Sequence, residues 1–185
     1  MGNKTGYRKF QVCLLGSSRA DPVLGEQAYA IGRFIGEKGW ILLNGGRIGV
    51  MEYSSKGCAE AGGISVGILP YDEIDRANPY TAVSIPTGIG WARNSITAIA
   101  GDVIILLGGE SGTLCELTYA WQAKKKILAC SWVEGVSKQF AGKKLDSKHT
   151  GDPEYRIIDC PSFDILKQNL INLHNEYLKK KSGTM

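Results

Sequence analysis

Three short turns rich in glycine, serine and threonine are the parts of this sequence best suited to bind an anion. They are residues 16–18 (Gly-Ser-Ser), 45–49 (Gly-Gly-Arg-Ile-Gly) and 108–113 (Gly-Gly-Glu-Ser-Gly-Thr), each between an apolar run and a segment of helical periodicity. A helix N-terminus offers unpaired N–H groups and the positive end of a dipole. Because glycine lets a phosphate approach the backbone, we expect a phosphate-bearing ligand; the alternative is that the turns only permit tight strand-to-helix packing.

The residues predicted to bind phosphate belong to these turns or closely follow them. They are Gly16, Ser17, Ser18, Gly45, Gly46, Arg47, Gly49, Met51, Gly108, Gly109, Ser111, Gly112 and Thr113. No turn carries the Lys-Ser or Lys-Thr of a P-loop, and the dinucleotide pattern G-x-G-x-x-G occurs only at residues 88–93, with Arg in the last place. The sequence therefore predicts neither an ordinary ATP site nor an ordinary NAD site.

Arg93 and Glu116 are the candidate catalytic residues. Arg93 lies near the start of a short predicted helix, where its guanidinium can clamp a phosphate through two hydrogen bonds; a surface salt bridge is the alternative. Glu116 follows Thr113 by three residues, so a capping box explains it as well as a catalytic carboxylate does. Because the helix end is positive, we expect a lowered pKa for Glu116, which suits cation stabilisation or water activation better than general acid catalysis.

Other reactive side chains carry weaker signals. Glu52 and Glu110 also lie near these turns, and a solvated or capping role is the simpler interpretation of each. Five cysteines (Cys13, Cys58, Cys115, Cys130 and Cys160) form no C-x-x-C pair and fit no zinc spacing, so we expect reduced, mostly buried thiols and no metal. Cys115 alone, in a first helical turn, is a candidate for a thiol of lowered pKa.

The elements that must position these residues alternate between strand and helix. The predicted strands are 10–15, 40–43, 64–69, 81–85, 102–107, 127–130 and 155–159, and the predicted helices are 21–38, 49–61, 92–100, 112–123 and one opened by Pro161 that ends at 179–181. Such alternation predicts an α/β fold: one Rossmann-like, doubly wound, mainly parallel sheet with helices on both faces. Ligands in such sheets bind beyond the carboxyl ends of the strands.

One domain is expected for residues 1–185, with a motif-bearing core at 10–131 and a C-terminal helix at 161–181. Residues 133–154 are polar and lysine-bearing, with no sustained periodicity. A segment of this length without regular structure is either mobile or functional, for example a lid over the site. The sequence leaves both possibilities open.

Composition excludes several classes of protein. With 43% hydrophobic and 22% charged residues, the chain has the composition of a folded globular protein. The net charge of +4 is too small to indicate nucleic-acid binding. No apolar run is long enough to span a membrane, and the run that follows the basic start breaks at Gly16, unlike that of a signal peptide. We therefore expect a cytoplasmic location.

At these motifs the sequence resembles the Lonely Guy (LOG) superfamily, also called lysine decarboxylase-like. Residues 44–51 resemble its G-G-G-x-x-G-x-M turn and residues 108–116 its P-G-G-x-G-T-x-x-E turn, within a likeness that covers roughly 10–131. The resemblance implies a phosphoribohydrolase that cleaves the N-glycosidic bond of a nucleoside 5′-monophosphate, with Arg93 and Glu116 as catalytic residues. It also implies no metal or redox cofactor and a homodimer or higher oligomer. Nothing in the sequence identifies a pyridoxal-phosphate lysine, so the decarboxylase name has no support.

A branch of this superfamily akin to the molybdenum-cofactor carrier protein looks more similar still. The stretches that carry this likeness are 39–43, 45–47, 59–63, 78–80, 85–90 and 92–94. It implies the alternative function: a carrier or sensor, without catalysis, of a nucleotide or pterin-phosphate ligand. A third hypothesis, a structural or DNA-processing partner, follows from the superfamily's likeness to the DNA-processing protein DprA.

Four positions depart from the hydrolase motifs. Gly108 stands where the motif has proline, Glu110 and Asn44 where it has glycine, and Asn94 where the hydrolases usually have lysine after the arginine. Glu110 is expected to crowd or repel a phosphate at its turn. These departures bear on catalysis and leave the predicted fold unchanged.

Overall fold

Seven parallel strands form one sheet in the order β4–β3–β2–β1–β5–β6–β7. The computed structural model describes residues 8–147 and 152–183. The strands are β1 (Gln11–Gly16), β2 (Ile41–Asn44), β3 (Ile64–Leu69), β4 (Val83–Pro86), β5 (Val103–Leu107), β6 (Lys126–Cys130) and β7 (Ile158–Cys160).

In the same part of the chain, six helices connect or follow these strands. They are α1 (Pro22–Glu37), α2 (Val50–Glu60), α3 (Arg93–Ala100), α4 (Ser111–Gln122), α5 (Val136–Phe140) and α6 (Phe163–Lys181), and two 3₁₀ turns lie at Ile74–Arg76 and Gly90–Ala92. Within the described ranges, no helix combines the length and apolar content needed to cross a membrane.

Helices cover both faces of the sheet because buried strands direct successive side chains to opposite sides. Val12 and Leu14 of β1 pack in a core with α1, α2 and α6, whereas Cys13 and Leu15 pack in a second core with α3, α4 and α5. Every residue of β5 is buried, as expected for a central strand of a parallel sheet. The predicted doubly wound, Rossmann-like fold is confirmed.

The direction in which strands are added reverses between β1 and β5. From β1 the chain adds strands outward to β4 on one side, and from β5 outward to β7 on the other. At the carboxyl ends of this central pair, Gly16 lies opposite Leu107. A reversal of this kind opens a crevice beyond the strand ends, and the turns after β1, β2 and β5 all lie at this edge.

α1 and α2 pack backbone against backbone. A Cβ added to Gly32 of α1 would lie 1.9 Å from the Ser54 carbonyl oxygen, and one added to Gly57 of α2 would lie 2.1 Å from the Tyr29 carbonyl oxygen. No larger residue fits at either position without separating the helices. Because α2 begins directly after residues 45–49, this contact holds the helix that follows the second turn.

The structure corrects the prediction for residues 133–154, which contain a short helix, α5. Ser137 in α5 is buried; its hydroxyl donates to the Cys130 carbonyl and accepts a hydrogen bond from the Gly108 N–H at 2.9 Å. The start of the segment therefore supports the third turn. Residues 148–151 lie outside the described residues, and a lid formed by the remainder stays a prediction.

Two boundaries near the C-terminus also differ from prediction. β7 begins at Ile158 rather than at 155, because the Tyr155 ring packs against Trp121 with its hydroxyl donating to the Lys125 carbonyl. Pro161 precedes the cap of α6 instead of opening the helix, since Ser162 is the N-cap and accepts from the Ile165 N–H. Neither change affects the site.

Candidate functional site

A cleft of about 410 Å³ lies at the carboxyl edge of the sheet, where the strand order reverses. Its volume is in the range of small-molecule sites. The three predicted turns and the start of α3 meet there. The predicted residues that line it are Gly16, Ser17, Ser18, Gly45, Arg47, Met51, Arg93, Ser111, Gly112, Thr113 and Glu116.

Four of the glycines predicted to bind phosphate are not in the cleft lining: Gly46, Gly49, Gly108 and Gly109. All four have positive φ, between 63° and 94°, which side chains other than glycine rarely adopt. Their contribution in the structure is to the shape of the turns. Direct contact of these four with a ligand stays a prediction.

Asn44, which replaces a motif glycine, holds the second turn in place. Its buried side chain donates to the Met51 carbonyl at 3.1 Å and to the hydroxyls of Ser54 and Ser55, and it accepts from the Gly46 N–H at 2.8 Å. These bonds join the end of β2 to α2. Asn44 therefore supports the turn from a buried position outside the cleft lining.

Asn78 clamps the same turn from the other side, a role that the sequence did not reveal. Its backbone N–H donates to the Gly46 carbonyl at 2.8 Å, and its side chain donates to the Arg47 carbonyl at 3.0 Å. A buried amide with several backbone partners fixes a turn rigidly. Arg47 is therefore presented to the cleft from a held backbone.

Arg93 and Glu116 form a buried ion pair in the cleft wall. Arg93 Nη1 lies 3.3 Å from Glu116 Oε1 and 3.0 Å from the Thr97 hydroxyl oxygen. The two residues are only 5% and 7% exposed. Gly45 makes room for the guanidinium, since an added Cβ would lie 2.6 Å from Arg93 Nη2. The pairing across α3 and α4 brings together the two residues that the sequence analysis singled out.

Arg93 keeps hydrogen-bonding capacity that the described residues do not use. Both of its side-chain hydrogen bonds leave from Nη1, while Nε is buried without an acceptor. A buried donor left unpaired costs free energy, about 1–3 kcal/mol. An anionic ligand in the cleft would supply acceptors for this guanidinium.

Burial raises the pKa of Glu116 to about 7, although the charge of Arg93 acts in the opposite direction. The expected lowering is wrong because α4 begins at Ser111 with Glu110 as its N-cap. Glu116 therefore lies more than one turn inside the helix, where desolvation outweighs the dipole. The capping box is wrong for the same reason, since Thr113 is not the N-cap.

Arg47 adds a positive charge that the cleft does not neutralise. Its guanidinium has no hydrogen bond or ion pair with any described residue, and it lies 5.8 Å from the centre of the Tyr71 ring. Burial and, to a smaller degree, the charge of Arg47 lower the pKa of Arg93, whereas Glu116 raises it. The cleft lining thus holds two arginines and two glutamates, Glu110 and Glu116. Because Arg93 is paired with Glu116, Arg47 is the cation that has no ion pair among the described residues and is available to an anion.

Four of the five cysteines are buried, as predicted. Cys13, Cys58, Cys130 and Cys160 are free and buried, whereas Cys115 is exposed and lines the cleft. In the described part of the chain, no group of three His, Cys, Asp or Glu side chains is placed to hold a metal ion.

Sequence reasoning did not assign a binding role to several side chains that line the cleft. Leu14 and Leu15 form part of its wall, Glu110 lies at its edge, and Trp91 and Asn94 line it beside Arg93. Trp91 follows two glycines of positive φ, Gly88 and Gly90. That Gly-x-Gly-Trp arrangement, directly before Arg93, was the sequence signal that could have indicated that Trp91 lies at the cleft.

The fold and cleft together define an α/β protein of the Rossmann-like class with a ligand site at the reversal of strand order. A family model described as the SLOG cluster4 family (LDcluster4) matches residues 9–155. The chain belongs to this family.

The similar proteins include two kinds that bear on function, and the first is a hydrolase. A cytokinin riboside 5′-monophosphate phosphoribohydrolase of Mycobacterium marinum is 32% identical over 103 residues, which cover 54% of this chain and 55% of the relative. The matched region thus spans about half the length of that hydrolase.

The second kind is represented by two solved structures that are similar over nearly their whole length. The molybdenum cofactor binding protein of Rippkaea orientalis is 29% identical, with a TM-score of 0.76, covering 94% of this chain and 99% of that one. The molybdenum cofactor carrier protein of Chlamydomonas reinhardtii is 27% identical, with a TM-score of 0.75, covering 90% and 98%. The expected likeness to the LOG superfamily near the carrier protein is confirmed.

Proposed function

We propose that the cleft binds a nucleotide or a similar phosphate-bearing small molecule. The phosphate lies against the turns that follow β1, β2 and β5, where backbone N–H groups and the hydroxyls of Ser17, Ser111 and Thr113 are available as donors. Arg47, which no described acidic group neutralises, supplies the charge. The names of the similar proteins support a ligand of this class.

We further propose that the protein hydrolyses the N-glycosidic bond of a nucleoside 5′-monophosphate. The observation that carries this proposal is the buried Glu116 carboxylate, with its pKa raised to about 7, in the wall of a cleft that also holds two arginines. A carboxylate tuned to neutral pH inside a cleft is typical of a catalytic acid or base. The alternative is that Glu116 has a structural role only, as the ion-pair partner of Arg93.

The reaction consumes one water. As the bond between C1′ and the base breaks, positive charge develops on the sugar, and ionised Glu116 stabilises this oxocarbenium-like state and orients the water. The water oxygen bonds to C1′ and one water proton passes to Glu116. The departing base takes up a proton from solvent, and Glu116 then returns its proton to solvent. Arg93 and the turns hold the phosphate, so the sugar is fixed during the reaction. The products are free base and ribose 5-phosphate.

Product analysis tests this proposal. The protein is incubated with a panel of nucleoside 5′-monophosphates and free base is measured by chromatography. Glu116→Gln keeps the size of the side chain and should reduce base release by about 100-fold or more. Glu52→Gln, which changes an acidic residue outside the cleft lining, serves as the matched control and should retain activity. Release that persists undiminished in Glu116→Gln contradicts the catalytic role of Glu116, and absence of release from every monophosphate contradicts the hydrolase.

The second candidate is a carrier or sensor without catalysis. Glu110 at the edge of the cleft favours it, because this N-cap carboxylate stands where the hydrolase motif has glycine. The near full-length likeness to molybdenum cofactor proteins supports it as well. In a carrier, Glu116→Gln keeps most of the ligand affinity, and no nucleotide yields free base.

We also propose that the protein forms a homo-oligomer. The exposed side chains of Ile96 and Ile99 on α3, and of Val83 and Ile85 on the edge strand β4, support this proposal. Light scattering coupled to size exclusion should give a multiple of the 20.0 kDa chain mass, reduced by Ile96→Glu. A mass of one chain at micromolar concentration contradicts it.

A further inference from the structure

Trp91 is a large apolar side chain left in solvent beside a polar cleft. It lines the cleft, yet 73% of its surface is exposed. Among the described residues, it is also the only aromatic one in the cleft lining. A ring of this size gains free energy when another flat apolar surface covers it. The cleft therefore offers an unpartnered stacking surface next to its charged groups.

The turn that carries Trp91 is held at a fixed place. The Gly88 N–H donates to the Tyr71 carbonyl at 2.9 Å, and the Gly90 N–H donates to the Pro70 carbonyl at 2.9 Å. Both glycines have positive φ, of 66° and 58°. Although the indole is exposed, its backbone is fixed to the chain that follows β3, so the ring is positioned for a ligand rather than free on a loose loop.

Asn94, one helical turn further on, is buried without using its amide. The residue is 5% exposed and lines the cleft, but its side chain makes no hydrogen bond with any described residue. Asn44 and Asn78, the other buried asparagines of the described chain, each use both the amide nitrogen and the amide oxygen. Neither atom of this amide is among the fully buried polar side-chain atoms that lack a partner in the described chain. The amide therefore stays accessible from the cleft, and its donors and acceptor are available to a ligand.

We propose that Trp91 and Asn94 form the subsite for the planar heterocycle of the ligand. The indole stacks on the ring face, and the Asn94 amide hydrogen-bonds the ring edge as donor and acceptor at once. This assignment rests on the proposed nucleotide-like ligand and adds to it the part of the ligand that is recognised. It requires a purine-like or pterin-like ring, and it excludes a sugar phosphate as the complete ligand.

Two observations favour this role over an oligomer contact for Trp91. The ring lines the cleft itself rather than only the outer surface of α3, and the unpaired Asn94 amide lies in the same cleft.

The test measures binding by calorimetry, with probes that the protein cannot hydrolyse. Formycin A and formycin B 5′-monophosphates carry the base on a carbon–carbon bond and present an amino edge and a lactam edge respectively. Ribose 5-phosphate carries no ring. Each probe is titrated into the wild-type protein and into Trp91→Ala, Trp91→Phe and Asn94→Ala, and the oligomer mass of each variant is measured in parallel.

Trp91→Ala should weaken binding of the preferred formycin nucleotide by about 10-fold or more, whereas Trp91→Phe retains most of the affinity. Asn94→Ala should lower the preference between the two formycin nucleotides. All three variants should bind ribose 5-phosphate within about twofold of the wild type.

Equal losses for nucleotide and ribose 5-phosphate, unchanged nucleotide affinity, or a loss that follows a changed oligomer mass would overturn the subsite and leave the proposed ligand class intact. A wild-type protein that binds neither formycin nucleotide would instead overturn the nucleotide ligand, and the subsite with it.

Discussion

Glycines occupy crowded positions both between α1 and α2 and in the wall of the cleft, but different atoms crowd them. At Gly32 the nearest atoms to an added Cβ belong to the backbone of Ser54, the closest at 1.9 Å. At Gly45 they belong to side chains: the Arg93 guanidinium at 2.6 Å and the Met51 sulfur at 2.7 Å.

This difference distinguishes a glycine that the fold requires from a glycine that positions side chains in the cleft. Backbone cannot move away without separating two helices, whereas the far end of an arginine can shift by a small rotation. Glycine at the helix contact therefore determines stability, and glycine at the cleft determines where the charged groups lie. We therefore expect the same Gly-to-Ala change to act mainly on stability at Gly32 and mainly on ligand binding at Gly45.

The largest effect is expected at the helix contact. Gly32→Ala should lower the free energy of unfolding by about 3 kcal/mol or more, because the new methyl group overlaps the Ser54 carbonyl. Gly112→Ala, in a helix with open space around the added Cβ, is the matched control and should stay within about 1 kcal/mol of the wild type. Urea unfolding measures both. Equal stability of the two variants would refute backbone crowding at Gly32.

The cleft also differs from the helix contact in that it buries an ionisable pair, Arg93 and Glu116. A carboxylate whose pKa rises from 4.5 unfolded to about 7 folded binds its proton more tightly in the native state. Its contribution to stability is therefore complete below about pH 4.5 and is lost as the pH rises through 7. The unfolding free energy of the wild type relative to Glu116→Gln should fall by on the order of 3 kcal/mol between pH 4.5 and 8.

Urea titrations of both proteins across this range measure that difference, and groups common to both cancel. A difference that stays constant with pH would show that Glu116 titrates near its ordinary pKa, contrary to the burial seen in the structure.

The smallest effect on stability, and a clear effect on binding, is expected at Gly45. Gly45→Ala should cost about 1–2 kcal/mol of unfolding free energy, since only side chains must move. Displacing the Arg93 guanidinium should weaken binding of formycin A 5′-monophosphate by about 10-fold or more. Calorimetric titration alongside thermal unfolding separates the two quantities. If Gly45→Ala lowered the unfolding free energy as much as Gly32→Ala does, the proposed difference between the cleft and the helix contact would be wrong.

The strands and turns were predictable from the sequence because both leave local signals. The five aliphatic residues of β5 mark a buried central strand, and the glycines that follow the other central strands mark the ligand edge of the sheet. The pairing of Arg93 with Glu116 was predicted only as a shared resemblance to a motif. Their contact across α3 and α4 depends on tertiary packing that spacing does not specify.

The predictions that were wrong also failed because they depended on tertiary packing, which the local sequence does not specify. The pKa of Glu116 depends mainly on burial. It also depends on where α4 begins, and the N-cap is Glu110, three residues before the predicted cap Thr113. α5 is only five residues long, and the burial of Val136 and Ser137 stabilises it rather than any periodicity. Asn78 contacts the distant 45–49 turn, so nothing in its own sequence neighbourhood indicated that role. For Trp91, which lines the cleft, the preceding Gly-x-Gly pattern was the only local signal.

The measurement that tests the account most directly is the affinity of the wild-type protein for formycin A 5′-monophosphate against formycin A, which lacks the phosphate. We expect the nucleotide to bind at least about 10-fold more tightly, because charge-assisted hydrogen bonds form to Arg93, Arg47 and the turns. Arg47→Ala should remove most of that advantage. Equal affinity for the two compounds would contradict the assignment of this cleft as a phosphate site.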